Sequence, residues 1–250
     1  MPILNISLGF WDIALIFVVA LQATAVAYLS DTRWKSLALT LPLPFTTIVL
    51  SLGNPLDASN VLSLVTLMIY VMSVRLLYIH ARIPIVLTIV LSVFIYATLS
   101  SQLVPIVPRT DQVFWISALS IFALGHVLRR VLPHPTGSNY RTSLPLWQKL
   151  PAILLVVGIL VTLKNSLQGF ASLFPLLGTV GAYEVRRNLW ILVRSVPNLM
   201  CALIPLMIVV RIAQSHVGLP GAFVLGWMVF LPILWWLQKS SFQPVADVVK

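Results

Sequence analysis

Charge is scarce in this chain, and acids are scarcer still. Only 9% of the 250 residues are charged, with six Asp or Glu against 16 Lys or Arg, whereas 59% are hydrophobic. Because charged residues normally make up about a quarter of a soluble domain, this composition excludes a soluble domain of ordinary type. Apolar runs of the roughly 20 residues needed to cross a bilayer fill almost the whole length. We therefore predict an all-α polytopic membrane protein.

Cysteine and acid-based chemistry are also nearly absent. Cys201 is the single cysteine, which excludes an internal disulfide and a cysteine-based metal site, and we interpret it as a packing residue. Four scattered His, no pair of carboxylates within one apolar run, and no HExxH or G-x-S-x-G sequence give no support to an enzyme. We predict no catalytic residue, no metal and no cofactor. The basic residues lie in short links, not in a stripe or tail, so nucleic acid is not an expected partner.

One stretch of sequence occurs twice. Val, Arg, His and Pro stand at positions 74, 75, 80 and 84, and the same residue types recur 136 residues later at 210, 211, 216 and 220. Composition does not explain this match, because the chain has only four His and the two copies use two of them. A fixed interval indicates two copies of one unit. With small gaps, Ala38 and Pro42 also match Ala171 and Pro175.

The apolar runs predict nine transmembrane helices. They cover residues 13–29, 36–52, 58–80, 84–103, 112–132, 150–163, 166–183, 189–212 and 219–237. We assign residues 1–104 to a first four-helix repeat, 105–148 to a linker helix with a polar cytoplasmic hinge, and 149–250 to a second four-helix repeat. Because a single helix separates the copies, this 4+1+4 arrangement makes them inverted-topology repeats.

Basic residues divide unevenly between alternate links. Thirteen Lys and Arg fall on one set of links and flanks, and three fall on the other, namely Arg109, Lys164 and Arg211. Since cytoplasmic links carry the excess of Lys and Arg, we predict the N-terminus outside and the C-terminus in the cytoplasm. Membrane lipids are the expected partners, and a homodimer is the candidate assembly.

Two apolar motifs resemble a known family. They are the run FPLL at 174–177, with the polar turn after it, and the run GLPGAFV at 218–224. Both are similar to the corresponding stretches of the GlpM family, which are small four-span bacterial membrane proteins, and the first half of the chain is more distantly similar. The resemblance implies a fused, inverted pair of four-span units in a bacterial inner membrane. It brings no defined activity with it.

Broken helices in inverted repeats are typical of secondary transporters, whose substrate site lies where the breaks meet. Pro42 and Pro44 in the second span and Pro175 in the seventh predict such breaks, so we expect these prolines to line a substrate cavity. Asp12 lies at the outer edge of the first span, and no span has an acid near its middle. We therefore hypothesise a secondary transporter or flippase-like carrier of a small anionic or lipid-phosphate substrate. A non-transporting scaffold or assembly factor is the alternative, and an intramembrane enzyme is the third.

Three arginines are candidate binding residues. Arg75 and Arg211 lie near the ends of equivalent helices, where each either extends to the interface or attracts an anion through its forked guanidinium. Arg194 lies about one turn inside the eighth span. It contacts either lipid headgroups or the substrate.

Three histidines are candidate proton sensors. His80 and His216 each stand five residues beyond their arginine and do not share its helix face. His126 lies inside the fifth span. Each either caps or packs against its helix or titrates near neutral pH.

Overall fold

The structure is a computed structural model that describes residues 10–29, 32–133, 158 and 164–241. All regular elements in these ranges are helices, which confirms the predicted all-α fold. In chain order they are α1 Phe10–Tyr28, α2 Thr32–Thr40, α3 Leu43–Leu52, α4 Ala58–Ile79, α5 Ile85–Leu103, α6 Asp111–Val131, a 3₁₀ helix Gln168–Leu173, α7 Leu176–Glu184 and a last helical segment Trp190–Ser241. The segments before and after α6 are called here the N-terminal half and the C-terminal half.

The last helical segment consists of two antiparallel arms. Gly218 interrupts it with φ 72° and ψ 166°, a conformation that residues with a side chain rarely adopt. We name the arms α8 (190–217) and α9 (219–241). A Cβ added to Gly226 would lie 2.8 Å from a methyl group of Val210, so α9 folds back tightly along α8. The arms form a helical hairpin, as α4 and α5 do.

Four helical segments are long and apolar enough to cross a membrane. They are α4, α5, α6 and the part of the α8–α9 hairpin between Trp190 and Leu237. Large apolar side chains cover their outer surfaces, and Phe94 and Met228, for example, are about two-thirds exposed, at 68% and 65%. A surface of this kind suits lipid and not water. These helices indicate a membrane-embedded protein.

Nine separate transmembrane helices are not supported. Residues 36–52 are divided between α2 and α3, and residues 166–183 between the 3₁₀ helix and α7. The cause is proline, which lacks the N–H that would continue a helix and clashes with the preceding turn. Residues 190–237 form one helical segment, which Gly218 divides into the arms α8 and α9. The predicted span 150–163 lies outside the described residues except for position 158.

The interior is built around α8. Every residue from 191 to 204 is buried, and the large side chains Phe45, Tyr70, Tyr96 and Phe170 are at most 1% exposed. Helices of the two halves alternate in this core, because α4 contacts the 3₁₀ helix and α8, while α1 contacts α7. The halves therefore interlock and do not sit side by side.

The turn between α3 and α4 is locally fixed. Gly53 ends α3 in the left-handed conformation, with φ 65°, which glycine adopts without a steric penalty. Asp57 then caps α4 by accepting the Ser59 N–H at 2.9 Å, and Asn60 accepts the Asp57 N–H in return at 2.9 Å. This reciprocal cap holds the Asp57 carboxylate at the end of the bundle.

Candidate functional site

Two helices break at prolines with nearly the same backbone conformation. Pro42 precedes α3 with φ −86° and ψ 41°, and Pro175 precedes α7 with φ −74° and ψ 50°. These angles agree within about 15°, the ordinary scatter of one conformation. We call α2 with α3 the first broken segment, and residues 164–184 the second. The predicted correspondence of these two prolines is therefore seen in the local geometry.

A cavity of about 70 Å³ lies between the two breaks. Pro42, Pro44 and Pro175 line it, and Ser172 and Ser195 supply its only hydroxyl groups among the described residues. The rest of the wall is apolar, and no described charged side chain lines it. Since a water needs about 10–15 Å³ of such volume, there is room for several waters or a small apolar group.

Gln22 of α1 replaces the hydrogen bonds lost at the first break. Because Pro42 has no N–H, the carbonyl of Ala38 loses its helical donor. Gln22 is only 4% exposed, and its side-chain amide donates to the carbonyl of Ala38 at 2.6 Å and to that of Leu41 at 2.8 Å. Such replacement is required where no water is present. The sequence signal for this role is a lone amide inside an apolar run.

Tyr96 and Asn60 donate to carbonyls beside the second break, where the carbonyl freed by Pro175, that of Ala171, accepts the Phe174 N–H at 3.0 Å. The Tyr96 hydroxyl donates to the carbonyl of Phe170 at 2.7 Å. The Asn60 amide donates to the carbonyl of Gly169 at 3.3 Å and to the Ser172 hydroxyl at 3.2 Å. Both donors are almost fully buried. Two breaks with similar backbones are thus supported by different side chains.

Glycine permits the close approach of α4 to the second broken segment. A Cβ at Gly169 would lie 1.9 Å from the Ser59 hydroxyl oxygen, and a Cβ at Gly178 would lie 2.8 Å from the Tyr70 ring. Ser59 and Tyr70 are both buried, so neither side chain can easily move aside. Any larger residue at these two positions would push α4 away from the cavity.

Aromatic side chains connect each break to the hairpin of the other half. Phe45, beside the first break, packs edge-on against Phe223 of α9, with ring centroids 5.9 Å apart. Phe174, beside the second break, packs edge-on against Tyr96 of α5 at 5.6 Å. Each half thus contributes one break and one hairpin to these two contacts. Movement of either hairpin would therefore displace the aromatic ring beside the break of the opposite half.

One end of the bundle carries three ion pairs. We call it the ion-pair end; it contains the start of α1, the α3–α4 and α5–α6 turns, residues 164–168 and the α8–α9 turn. Each of its three predicted basic residues has an acidic partner. The pairs are Asp12 with Lys164, Asp57 with Arg109, and Asp111 with Arg211.

The Asp12–Lys164 pair is the most buried of the three. Lys164 Nζ lies 2.5 Å from Asp12 Oδ1 and donates to the Ser51 hydroxyl at 2.7 Å, and that hydroxyl donates to Asp12 at 2.5 Å. The side chains of Asp12 and Lys164 are 6% and 12% exposed. The sequence prediction placed Asp12 at an outer edge, and the structure instead encloses it between α1, α3 and the second broken segment.

Arg211 is held by several groups at the ion-pair end. It pairs with Asp111, donates to the carbonyl of Leu56 at 2.5 Å, and lies over the Phe114 ring at 5.6 Å. It also lines a second cavity of about 210 Å³, together with Arg109, Asp57 and nearby amide side chains. Its positive charge is neutralised within the protein.

Arg75, the sequence equivalent of Arg211, lies at the opposite end in another setting. Its guanidinium carbon is 4.0 Å from the centroid of the Trp190 ring, and its Nε has no hydrogen-bond partner among the described residues. No ion pair of Arg75 occurs within the described ranges. We call this end, which contains the α4–α5 turn, the end of α6 and the α7–α8 turn, the arginine-rich end.

Arg194 joins two helices and does not line either cavity. It is 6% exposed, and its guanidinium donates to the carbonyl of Leu132, just after α6, at 2.6 Å. That contact anchors the end of α6 against α8. The structure therefore brings together the three predicted prolines, but it leaves Arg75, Arg194 and Arg211 outside the proline-lined cavity.

The three histidines do not meet. His80 caps the end of α4, and His216 is exposed near the α8–α9 turn. The His126 ring nitrogen Nδ1 lies 3.0 Å from the carbonyl of Phe122 and 3.4 Å from the Cys201 sulfur. Within the described part of the chain, no group of three His, Cys, Asp or Glu could hold a metal.

The fold and this site define an all-helical, membrane-embedded protein with two broken helices around an apolar cavity. No protein-family model, curated protein or solved structure matches the chain. The relationship to the GlpM family thus stays a proposal drawn from the two short motifs.

Proposed function

We propose that this protein is a secondary transporter or flippase-like carrier of a small anionic or lipid-phosphate substrate. The observation behind this proposal is the cavity between the Pro42 and Pro175 breaks, since transporters bind substrate where discontinuous helices of two halves meet. Alternating access would open this cavity to one end of the bundle and then to the other.

The proposed topology is an inverted repeat in the bacterial inner membrane. In this topology each broken segment would count as one crossing. Together with α1, α4, α5, α6, α8, α9 and the predicted span 150–163, the broken segments would make nine crossings in the order 4+1+4. The arginine-rich end would face the cytoplasm, because its basic residues outnumber its acids. At the ion-pair end every described basic side chain except the histidine has an acidic partner, which favours an outer position.

Within the proposed substrate class, the geometry favours an amphiphilic anion. A charged group in the apolar cavity would lack a partner, and burying it unpaired is unfavourable. Arg75 offers a guanidinium without an ion pair at one end of the route, where a phosphate or carboxylate would be attracted. The charged group would stay at such an end while the apolar part of the substrate occupies the cavity.

A transport measurement tests the proposal. Purified full-length protein would be reconstituted into vesicles containing a fluorescent anionic phospholipid, and inward or outward movement of the lipid would be followed with a membrane-impermeant quencher. Movement above protein-free vesicles is expected, with Arg75→Ala about tenfold slower if one charge-assisted contact to the phosphate is lost. Arg82→Ala is the matched control at the same end, and we expect it to stay near the wild-type rate.

The opposite result would count against a carrier. If no anionic lipid or small anion moves, a rigid membrane scaffold becomes the better account. One observation favours that second candidate, namely that the freed carbonyls at both breaks already have donors. The Gln22 amide donates to Ala38, and the Phe174 N–H donates to Ala171. A scaffold predicts that lipid movement in vesicles with wild type and with Arg75→Ala is the same as in protein-free vesicles.

A further inference from the structure

We propose that Asp12 is a proton-binding site, and that proton uptake there releases Lys164 and opens the ion-pair end. The inference rests on the proposed carrier function and supplies its coupling ion. Ionisable groups buried in the span region of a membrane protein are rare and often belong to proton or ion pathways. Here a carboxylate, an ammonium and a hydroxyl are buried in mutual contact.

Burial separates this pair from the other two at the same end. The Asp12 side chain is 6% exposed, whereas those of Asp57 and Asp111 are 20% and 73% exposed. The Asp57 contact to Arg109 is also long, at 3.8 Å. Protonation of an exposed aspartate disturbs little, because water solvates the partner that is released. At Asp12 the same event changes the net charge of an enclosed site.

The pair joins the two halves of the molecule. Asp12 and Ser51 belong to α1 and α3 of the N-terminal half, and Lys164 begins the second broken segment of the C-terminal half. If the halves separate at this end, Lys164 must leave Asp12 and Ser51. A carboxylate and an ammonium left apart in an apolar region are strongly unfavourable, so the intact pair keeps this end closed.

A proton and the Lys164 ammonium compete for the same carboxylate oxygen. When the carboxylate takes a proton from water, an O–H bond forms and the site loses its negative charge. The ammonium keeps its own protons and can move to water, which solvates it. Separation of the halves then leaves a neutral acid and no buried anion, so proton binding favours the open state and the ion pair favours the closed state.

The helices packed against α1 have few other titratable residues, and these stand in turns at the opposite end of the bundle. The helices against α1 are α2, α3 and α7. Their titratable residues are Arg33 and Lys35 in the first turn of α2 and Tyr183 and Glu184 in the last turn of α7, both at the opposite end of the bundle, while α3 contributes the Ser51 hydroxyl. Among the described groups, the charge that faces Asp12 is therefore that of Lys164.

The test measures access to the central cavity as a function of pH. Full-length protein carrying Cys201→Ser and Ser195→Cys would place one thiol in the wall of the proline-lined cavity. A membrane-impermeant maleimide would be added from the side of the ion-pair end, which a separate Asn54→Cys variant identifies. At each pH the labelling rate would be divided by that of the exposed Asn54→Cys thiol, because maleimide reacts with the thiolate, whose fraction falls with pH. We expect this ratio to rise about tenfold or more from alkaline to acidic pH, as the open state gains population.

Substitutions at the pair assign the pH dependence. Asp12→Asn imitates the protonated acid, so the labelling rate relative to the exposed reference thiol should be high and independent of pH. Because a single substitution strands Lys164, the double variant Asp12→Asn/Lys164→Gln provides a second measurement that keeps neutral hydrogen bonds to Ser51. Asp111→Asn and His216→Gln, at the same end, are the matched controls and should retain the wild-type pH profile.

The outcomes separate the two proposals. If Ser195→Cys reacts but its pH profile is unchanged in both Asp12 variants, the proton site is wrong and the carrier stands. A pH profile abolished by His216→Gln or Asp111→Asn instead would also overturn it. If the thiol reacts from neither side at any pH in any variant, the cavity never opens, and both proposals fall.

Discussion

The N-terminal and C-terminal halves agree in backbone at their breaks and differ in charge at their equivalent arginines. Pro42 and Pro175 have nearly the same φ and ψ, because proline acts on its own helix whatever surrounds it. Arg211 has an acidic partner and Arg75 has none among the described residues. The two halves are thus alike at the breaks, where proline alone sets the backbone conformation. They differ at the arginines, where the charge balance depends on an acidic partner from another part of the chain.

Removing Lys164 should have the largest effect on this comparison, because its pair with Asp12 is the most buried of the three at the ion-pair end. Lys164→Met leaves the Asp12 carboxylate buried without its ammonium, and we expect the free energy of unfolding to fall by about 3–5 kcal/mol. Denaturant unfolding of the purified protein in detergent would measure it. Arg109→Met, which removes one partner of a pair that is 62% and 20% exposed, should lose only about 0–1 kcal/mol.

A double variant checks the cause. Asp12→Leu/Lys164→Met removes both charges and should regain most of the stability, since an apolar pair of similar size avoids the desolvation of charge. Equal losses in Lys164→Met and Arg109→Met would show that the enclosed pair is no more important than the exposed one.

The next largest effect is expected at the supports of the two breaks. Gln22→Met removes the donor of two carbonyls, and we expect a loss of about 1–3 kcal/mol for groups left without a partner. Tyr96→Phe removes a single hydrogen bond at the second break and should lose about 0.5–1.5 kcal/mol. Thermal unfolding of both variants under the same conditions would show which break contributes more to stability through its side-chain hydrogen bonds.

Thr24→Val is the control for these two variants. Its hydroxyl bonds the carbonyl of Ala20 within α1 at 2.7 Å, so its removal leaves no break unsupported and should change stability by less than about 0.5 kcal/mol. A loss for Gln22→Met as small as that for Thr24→Val would mean that the first break does not depend on the amide.

The smallest effect concerns the two equivalent arginines. Addition of anionic phospholipid should raise the unfolding temperature of wild type, because a ligand bound to the native state stabilises it. Arg75→Gln should reduce that shift by the equivalent of about 1 kcal/mol, the contribution of one basic residue near an anionic surface. Arg211→Gln should leave the shift unchanged, since Asp111 already neutralises that side chain. Equal responses would remove the distinction between them.

Features with a local cause could be predicted from the sequence. The helices α4, α5 and α6 follow apolar runs bounded by polar turns, and their observed ends lie close to the predicted ones. Proline likewise marked the breaks. Hydropathy alone gave one continuous span in each half of the chain, because apolar residues continue past Pro42 and Pro175, and only the prolines indicated that each span is divided.

Features that depend on distant partners could not be predicted. The count of basic links correctly grouped Arg109, Lys164 and Arg211 at one end, but not their acidic partners, which come from α1, the α3–α4 turn and the start of α6. Asp12 was predicted to lie at the membrane edge because it is close to the start of the first apolar run, and α1 begins only two residues before it. Its burial arises from contacts with Ser51 and Lys164, 39 and 152 positions away.

Access to the cavity from both faces tests the central claim most directly. A single thiol at Ser195, in the Cys201→Ser background, would be exposed to an impermeant maleimide in intact cells and in inverted vesicles. A carrier with two breaks around one cavity predicts reaction from each face, and substrate or a pH change should raise the rate from one face relative to the rate from the other. Reaction from one face only, unaffected by pH and by anionic lipid, would contradict the account.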